Sequence, residues 1–505
     1  MKNNLNPITR KIFPVLIALF LFLNLPIKAQ NPQGEILFDS LDFKIIRVWG
    51  THAERGYAYG YISGSQINSV ISNYIKPVFG TYYTNARNLV MAGTHFQIDE
   101  NYLIESSAII EGMNASGNNP AALDATDILV GNCMLDIQGM MGMNSGLGCS
   151  SLMSWGDATS GTGLNAEAIV TRHLDWYSNS TLLNNHLLVV HQPSEQNEQN
   201  WMMVGFAGML GALSGVNNQM GLFQHVMGDY NGSGQQNKNY KPVWLAMRQA
   251  LEQIDYNNDG YNNVLDAKQS FDDSPNGFAA GYLISALAGG TSIDSLTALV
   301  SELAPSLPTH VYRTNNYPDS IPGDNLYSAN NQIARNNLMH FCNRYNAIRN
   351  HIGDGTLLGV EESWELMRDW SHQSNNIQVM QFAPAQHHFR IGVKKTQPAY
   401  LVDFIDLDLN ELLNTTTTVS QISSNPAIIF YPNPVKDQIN FENLPPSSSP
   451  YEVLIVNGNG LIVEEIEFSG RQSAYELQIS HLKKGIYLIK IQSPDHVFQQ
   501  KIVKY

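Results

Sequence analysis

A chain of 505 residues is longer than one hydrophobic core supports, about 250 to 300 residues, so more than one folded unit is expected. Its net charge of -15, with only 14% charged residues, makes a phosphate backbone a poor partner and sets nucleic acid aside. Three cysteines, Cys133, Cys149 and Cys342, are too few for a disulfide-built scaffold. A bridge between Cys133 and Cys342 stays open beside the alternative that both are small buried apolar residues.

Lys2, Arg10 and Lys11 precede an apolar run from Phe13 to Leu25 that closes on Ile27-Lys28-Ala29, the pattern of a secretory signal peptide over residues 1–29. The run is shorter than the roughly 20 apolar residues a membrane span requires. No later window is long and apolar enough either, so the mature chain is expected to have no stable membrane span.

Residues 30–412 mix strand patterns, such as Ala168 to Leu174 and His186 to His191, with helical ones, such as Pro242 to Ile254 and Leu338 to Ile348, and the class is α+β. Residues 413–427 carry no hydrophobic period and are expected to form a linker. From 428 to 505, short alternating runs separated by Pro, Gly, Asn and Ser predict a small β-sandwich. Within it, Phe430-Tyr431-Pro432-Asn433-Pro434-Val435, Gly485-Ile486-Tyr487-Leu488-Ile489 and Lys501-Ile502-Val503-Lys504 resemble the C-terminal sorting domain of the type IX secretion system. That resemblance implies delivery to the cell surface or medium, with the type IX machinery as a partner.

The stretch richest in chemistry runs from Gly148-Cys149-Ser150-Ser151 through a Gly-rich turn to Thr171-Arg172-His173-Leu174-Asp175-Trp176. A strand, a turn and a returning strand would bring Cys149 beside Arg172 and Asp175. A guanidinium near a thiol favours the thiolate. Gly148 leaves room for the thiol to attack the preceding carbonyl, and cleavage there would give Cys149 a free α-amine. With a reference pKa of about 7.7 to 8.0, that amine can serve as general base for its own thiol, with Asp175 orienting it. No cofactor is needed for this chemistry.

Gly-Cys followed one hairpin later by Arg-x-x-Asp-Trp resembles the N-terminal-nucleophile hydrolases related to choloylglycine hydrolases, penicillin V acylases and the acyltransferases of peptidase family C45. Trp49-Gly50-Thr51-His52-Ala53-Glu54-Arg55-Gly56-Tyr57-Ala58-Tyr59-Gly60 resembles the opening of the acyltransferase-like branch and of phospholipase-B-like proteins. The resemblance implies a four-layer αββα domain, a possible processed chain 30–148 and a nucleophile chain 149–412. It places Asn330 at the oxyanion, Arg344 as a second arginine and, through Gly215-Val216-Asn217-Asn218, Asn217 as a second oxyanion donor. The implied substrate is a small N-acyl amide or a lipid-like molecule, attacked through an acyl-Cys149 intermediate. The alternatives are a lipid esterase or a non-catalytic surface protein on the same fold.

His173 and the pair His387-His388 lack a carboxylate or cysteine at ligand spacing and are expected to be structural. In contrast, Asp255, Asn257, Asp259, Tyr261 through its carbonyl, Asn263 and Asp266 fall at positions one, three, five, seven, nine and twelve of a calcium loop, with Gly260 at six. A structural calcium that staples an insertion is expected there.

Overall fold

The computed structural model describes residues 32–40, 43–143, 148–227, 234–289, 296–314, 321–330, 332–335 and 342–413, and in the C-terminal region 429–431, 435–442, 444–445, 447, 449–457, 462–483, 485–493 and 497–504. The candidate leader lies outside these residues. So does the expected linker, apart from Leu413, which ends the short helix Leu409–Leu413 and is fully buried. The chain divides into two compact units, one up to Thr415 and one from Thr416 onward.

The first unit is built on two sheets. Strands β1 (Gly34–Ser40), β2 (Phe43–Gly50), β3 (Gly148–Ser154), β4 (Ile169–Asp175), β5 (His186–Pro193), β6 (Trp201–Phe206), β7 (Ser214–Asn217), β8 (Met220–Met227), β9 (Gly281–Ala288), β10 (Ala298–Leu303), β11 (His310–Arg313), β12 (Asn325–Ser328), β13 (Asn376–Ala383), β14 (His388–Val393) and β15 (Ile405–Asp408) supply them. One sheet has nine strands in the order β1-β2-β5-β6-β7-β8-β9-β10-β11, and the other six, β12-β3-β4-β13-β14-β15. Among these described strands β2 and β5 pair in parallel and the others antiparallel.

Period two divides each strand between two cores. Leu188, Val190, Met202, Val204 and Leu283 of the larger sheet meet Val170, Met380, Phe382 and Phe389 of the smaller one. Their neighbours Leu187, Val189, Met203, Leu222 and Ile284 turn the other way, against Ile67, Ile109, Ile128 and Leu245. These belong to helices α1 (His52–Val70), α2 (Glu100–Ala115), α3 (Ala125–Asn132) and α4 (Val243–Glu252), the last followed by α5 (Val264–Asp272). On the outer face of the smaller sheet, Leu152 and Tyr327 pack on Tyr345, Ile348 and Met367 of α6 (Asn343–His351) and α7 (Val360–Trp370).

The Trp49–Gly60 stretch proves to be a helix start and a crossing. Thr51 and Glu54 form a reciprocal capping box at α1. A Cβ on Gly60 would lie 1.9 Å from the Ile109 carbonyl oxygen, and one on Gly112 2.0 Å from that of Tyr57, so α1 and α2 approach only because these residues lack side chains.

The second unit holds a three-stranded sheet (Ile429–Tyr431, Gln438–Glu442, Ala474–Gln478) and a four-stranded one (Tyr451–Asn457, Ile462–Phe468, Gly485–Gln492, Val497–Lys504). Alternate residues Ile439 and Phe441, Tyr451, Val453 and Ile455, and Ile489 and Ile491 share its core. Gln438–Glu442 is a strand the periodicity did not predict, because five residues with two apolar positions are too short a signal.

Candidate active site

The residues singled out around Cys149 gather at one end of the six-stranded sheet, where β3 and β13 begin and β4 and β12 end. Register pairs Gly148 with Asp175, Cys149 with Leu174 and Ser151 with Arg172. On the inter-sheet face, Arg172 Nη2 lies 3.7 Å from Cys149 Sγ and donates to the Gln224 carbonyl at 2.8 Å. Asp175 is on the opposite face, so its partner is not Arg172 but Arg344, whose Nη1 lies 2.6 Å from Asp175 Oδ2. Arg344 also donates through Nη2 to the Cys149 carbonyl at 3.1 Å, and Asn376 Nδ2 supports the other Asp175 oxygen at 3.1 Å.

Asn330, just beyond β12, accepts the backbone N–H of Cys149 on Oδ1 at 2.9 Å. Its Nδ2 occupies the space beside Gly148, where an added Cβ would meet it at 2.8 Å. The Cys149 backbone nitrogen is thus held by a residue 181 positions away.

Electrostatics corrects one expectation. Cys149 is fully buried, and burial pushes its thiol pKa up, while the Arg172 guanidinium and the backbone N–H of Asp175 oppose the shift without reversing it. The guanidinium alone therefore does not make a thiolate here; a base has to take the proton. Burial likewise raises Asp175 against the pull of Arg344 and lowers Arg172, whose Nε and Nη1 have no hydrogen-bond partner among the described residues.

Asn217 is not part of this constellation. Its Oδ1 accepts from the backbone N–H groups of Gln219 and Met220, and its Nδ2 donates to the Leu251 carbonyl and to Asn262, so it closes the β7–β8 turn. Along β8 that turn is four residues from Gln224, about 13 Å at 3.3 Å per residue. Neither His225 nor His173 is placed as a base for Cys149. His225 Nε2 lies 2.9 Å from the hydroxyl of Ser151, and His173, buried and held neutral by burial with a pKa down to about 3, has no hydrogen bond to Sγ. All three cysteines are free, so the open question of a Cys133–Cys342 bridge is answered by two separate thiols.

Sequence reasoning missed the supporting shell. Ser150, Ser371 and Tyr327 form a hydroxyl chain, Ser371 Oγ lying 2.6 Å from Ser150 and 2.7 Å from Tyr327, beneath Arg344. Gln224 anchors Arg172, and Trp244 donates its indole N–H to Gln224 Oε1 at 3.1 Å. Trp244 and Trp176 both wall a narrow apolar cavity of about 30 Å³, together with Tyr74, Met134 and Phe206.

The expected calcium loop lies between α4 and α5. Asp255 accepts from the amides of Asp259 and Gly260, Asp259 from that of Tyr261, and Asp266 from those of Tyr256, Asn257 and Asn263. Its donor set is all oxygen, which suits calcium. Among the described residues, the one set of three His, Cys, Asp or Glu groups with ligand atoms within 4.8 Å of one another is elsewhere: His52, Glu195 and Glu198. Both nitrogens of that His52 are taken by carboxylates, Nδ1 by Glu105 at 2.6 Å and Nε2 by Glu198 at 2.8 Å, so an ion pair fills the position a metal would need.

Comparison with known proteins identifies the second unit. Residues 429–505 match the family of secretion system C-terminal sorting domains. The protein is accordingly secreted or displayed at the cell surface. The chain is also similar to protein dcd1B of Dictyostelium discoideum, 24% identical over 236 residues, which cover 42% of this chain and 43% of that one. The match thus spans less than half of the relative's length. No helix among the described residues is long and apolar enough to cross a membrane.

Proposed function

We propose that the first unit is a cysteine amidohydrolase or acyltransferase of the N-terminal-nucleophile type, acting on small N-acyl amides through an acyl-Cys149 thioester. The observation that carries this reading is the meeting of Cys149, Arg172, Asp175, Asn330 and Arg344 at one sheet end, with the Cys149 backbone nitrogen on Asn330 Oδ1. Two facing sheets flanked by helices support assignment to the four-layer αββα fold.

In the uncut chain the thiol adds to the Gly148 carbonyl carbon, the Gly148–Cys149 C–N bond breaks with the proton passing to nitrogen, and water hydrolyses the thioester. The products are a Gly148 carboxylate and a Cys149 with a free α-amine. That amine, of reference pKa about 7.7 to 8.0, takes the proton that burial otherwise keeps on sulfur. Sulfur then adds to the substrate's acyl carbon, the C–N bond breaks, and the amine leaves with the proton. Water or an amine acceptor finally takes the acyl group. Asn330 holds the α-amine through Oδ1 and its amide N–H is the oxyanion donor that the resemblance implies, and Arg344 clamps Asp175 to the nucleophile's carbonyl.

Intact-mass measurement and N-terminal sequencing test this, beside Cys149→Ala. A new terminus at Cys149, absent from the variant, is expected; an uncut chain in both would favour a non-catalytic surface protein. For the loop at Asp255, Asn257, Asp259, Tyr261, Asn263 and Asp266 we propose a structural calcium, supported by its oxygen donors and helix–loop–helix frame. Adding calcium at 100 times its Kd should stabilise the fold by about 2.7 kcal/mol. An identical Tm in calcium and in chelator would reject the site.

A further inference from the structure

When sulfur adds to a carbonyl, negative charge builds on the oxygen, and a second donor is required there now that Asn217 is committed to its own turn. Gln224 meets the requirement. It is fully buried on β8, and its Oε1 accepts the Trp244 indole N–H at 3.1 Å. An indole nitrogen only donates, so this bond fixes which end of the carboxamide is oxygen. Nε2, the other end, has no hydrogen-bond partner among the described residues. Leaving a buried donor unmade costs about 1 to 3 kcal/mol.

Its position supplies the use. The Gln224 carbonyl receives Arg172 Nη2, the same nitrogen that lies 3.7 Å from Cys149 Sγ. On its other side stands Trp244, which with Trp176, the residue after Asp175, walls the narrow apolar cavity. Gln224 therefore sits between the nucleophile's guanidinium and an apolar slot.

We propose that Gln224 Nε2 donates to the substrate's carbonyl oxygen, and that the acyl chain attached to that carbonyl is slender and apolar and enters the slot between Trp176 and Trp244. This rests on the acyl-transfer reading of Cys149. As the C–S bond forms, the carbonyl pair moves onto oxygen, where the Nε2 hydrogens meet it. The pair returns as the C–N bond breaks, and the amine departs with the proton taken from sulfur. Asn330 keeps Oδ1 on the α-amine and offers Nδ2 to the same oxygen, so Gln224 is the second of two oxyanion donors.

The test uses Gln224→Leu and Gln224→Glu in the full protein, with straight-chain N-acyl 4-nitroanilides of four to twelve carbons and a benzoyl analogue. Molecules with a Cys149 N-terminus are counted by sequencing, and thiol reactivity is measured with iodoacetamide. Per processed molecule, kcat should fall about 100- to 1000-fold in both variants, with iodoacetamide labelling within twofold of wild type. Gln224→Glu keeps the acceptor for Trp244, so a loss shared by both variants at unchanged Tm belongs to the missing donor rather than to a disturbed core. Wild type should prefer straight chains to benzoyl. Variant kcat within threefold of wild type would overturn the role of Gln224 while leaving the nucleophile standing. A wild-type protein with no cut, no labelling of Cys149 and no turnover would overturn the acyl-transfer reading and this inference with it.

Discussion

Two of the buried charge clusters among the described residues of the first unit differ in what their charges are paired with. Around His52, Glu105 takes His52 Nδ1 at 2.6 Å and Arg248 at 2.7 Å, Glu252 takes Arg248 at 2.7 Å and Glu198 takes Arg55 at 2.9 Å. Burial lowers the His52 pKa, but Glu105 and Glu198 outweigh it and push it up to about 9, while Arg248 and His52 hold Glu105 well below the usual carboxylate range. Around Cys149 the charges are as deeply buried, yet they surround a thiol that keeps its proton. Nitrogens without a hydrogen-bond partner among the described residues occur in both clusters, Arg55 Nε and Nη1 in one and Arg172 Nε and Nη1 with Gln224 Nε2 in the other, so unused capacity does not by itself mark a site. The carboxylate-rich cluster ties helices together, here α1, α2 and α4.

Replacing one arginine in each cluster separates the two roles. Arg344→Ala should abolish cutting at Cys149 and lower amide turnover by about 100- to 1000-fold, because the guanidinium joins Asp175 to the Cys149 carbonyl. Gel analysis of cutting and a turnover assay check this. Arg248→Met should leave turnover per folded molecule within about threefold but cost about 3 to 5 kcal/mol in a urea titration, since it strands buried Glu252. Comparable loss of turnover in both variants would erase the distinction.

A pH titration sharpens it further. His52 keeps its proton in the folded state up to about pH 9, whereas an unfolded histidine loses it near 6.5. The stability this group supplies is fully present below about 6.5 and lost as pH rises through 9, a change of about 3 kcal/mol. Denaturation at pH 7 and pH 10 should show that fall in wild type and not in His52→Gln. A smaller effect is expected at Gly148→Ala, whose Cβ would press on Asn330 Nδ2 at 2.8 Å. Cutting should slow about tenfold, followed by the appearance of the shorter chain over time, with urea stability unchanged.

What could be read in advance was local. Cys149 and Arg172 are joined by one hairpin, so strand patterns suffice to bring them together; Asp175 lies on the same strand but on the other face, and its true partner could not be foreseen from that hairpin. Asn330 and Arg344 were found through resemblance, not periodicity. Asn217 was misjudged because an Asn-Asn-Gln turn satisfies its own side chain, a local preference that wins over any distant role. Gln224, Ser371 and Asn376 left no trace in the sequence. Each acts through a neighbour from another strand or turn, and an unpartnered Nε2 is a property of packing that no spacing encodes. The sandwich strands of the second unit were legible from alternation, with one short strand lost to its brevity.

The bond from Cys149 to Asn330 spans 181 positions. A partly synthesised or partly exported chain cannot close it, since a contact of that separation forms only after the intervening sheets exist. On the reading proposed above, Cys149 can act only once the segment carrying Asn330 is in place, so completing the fold is what readies the thiol.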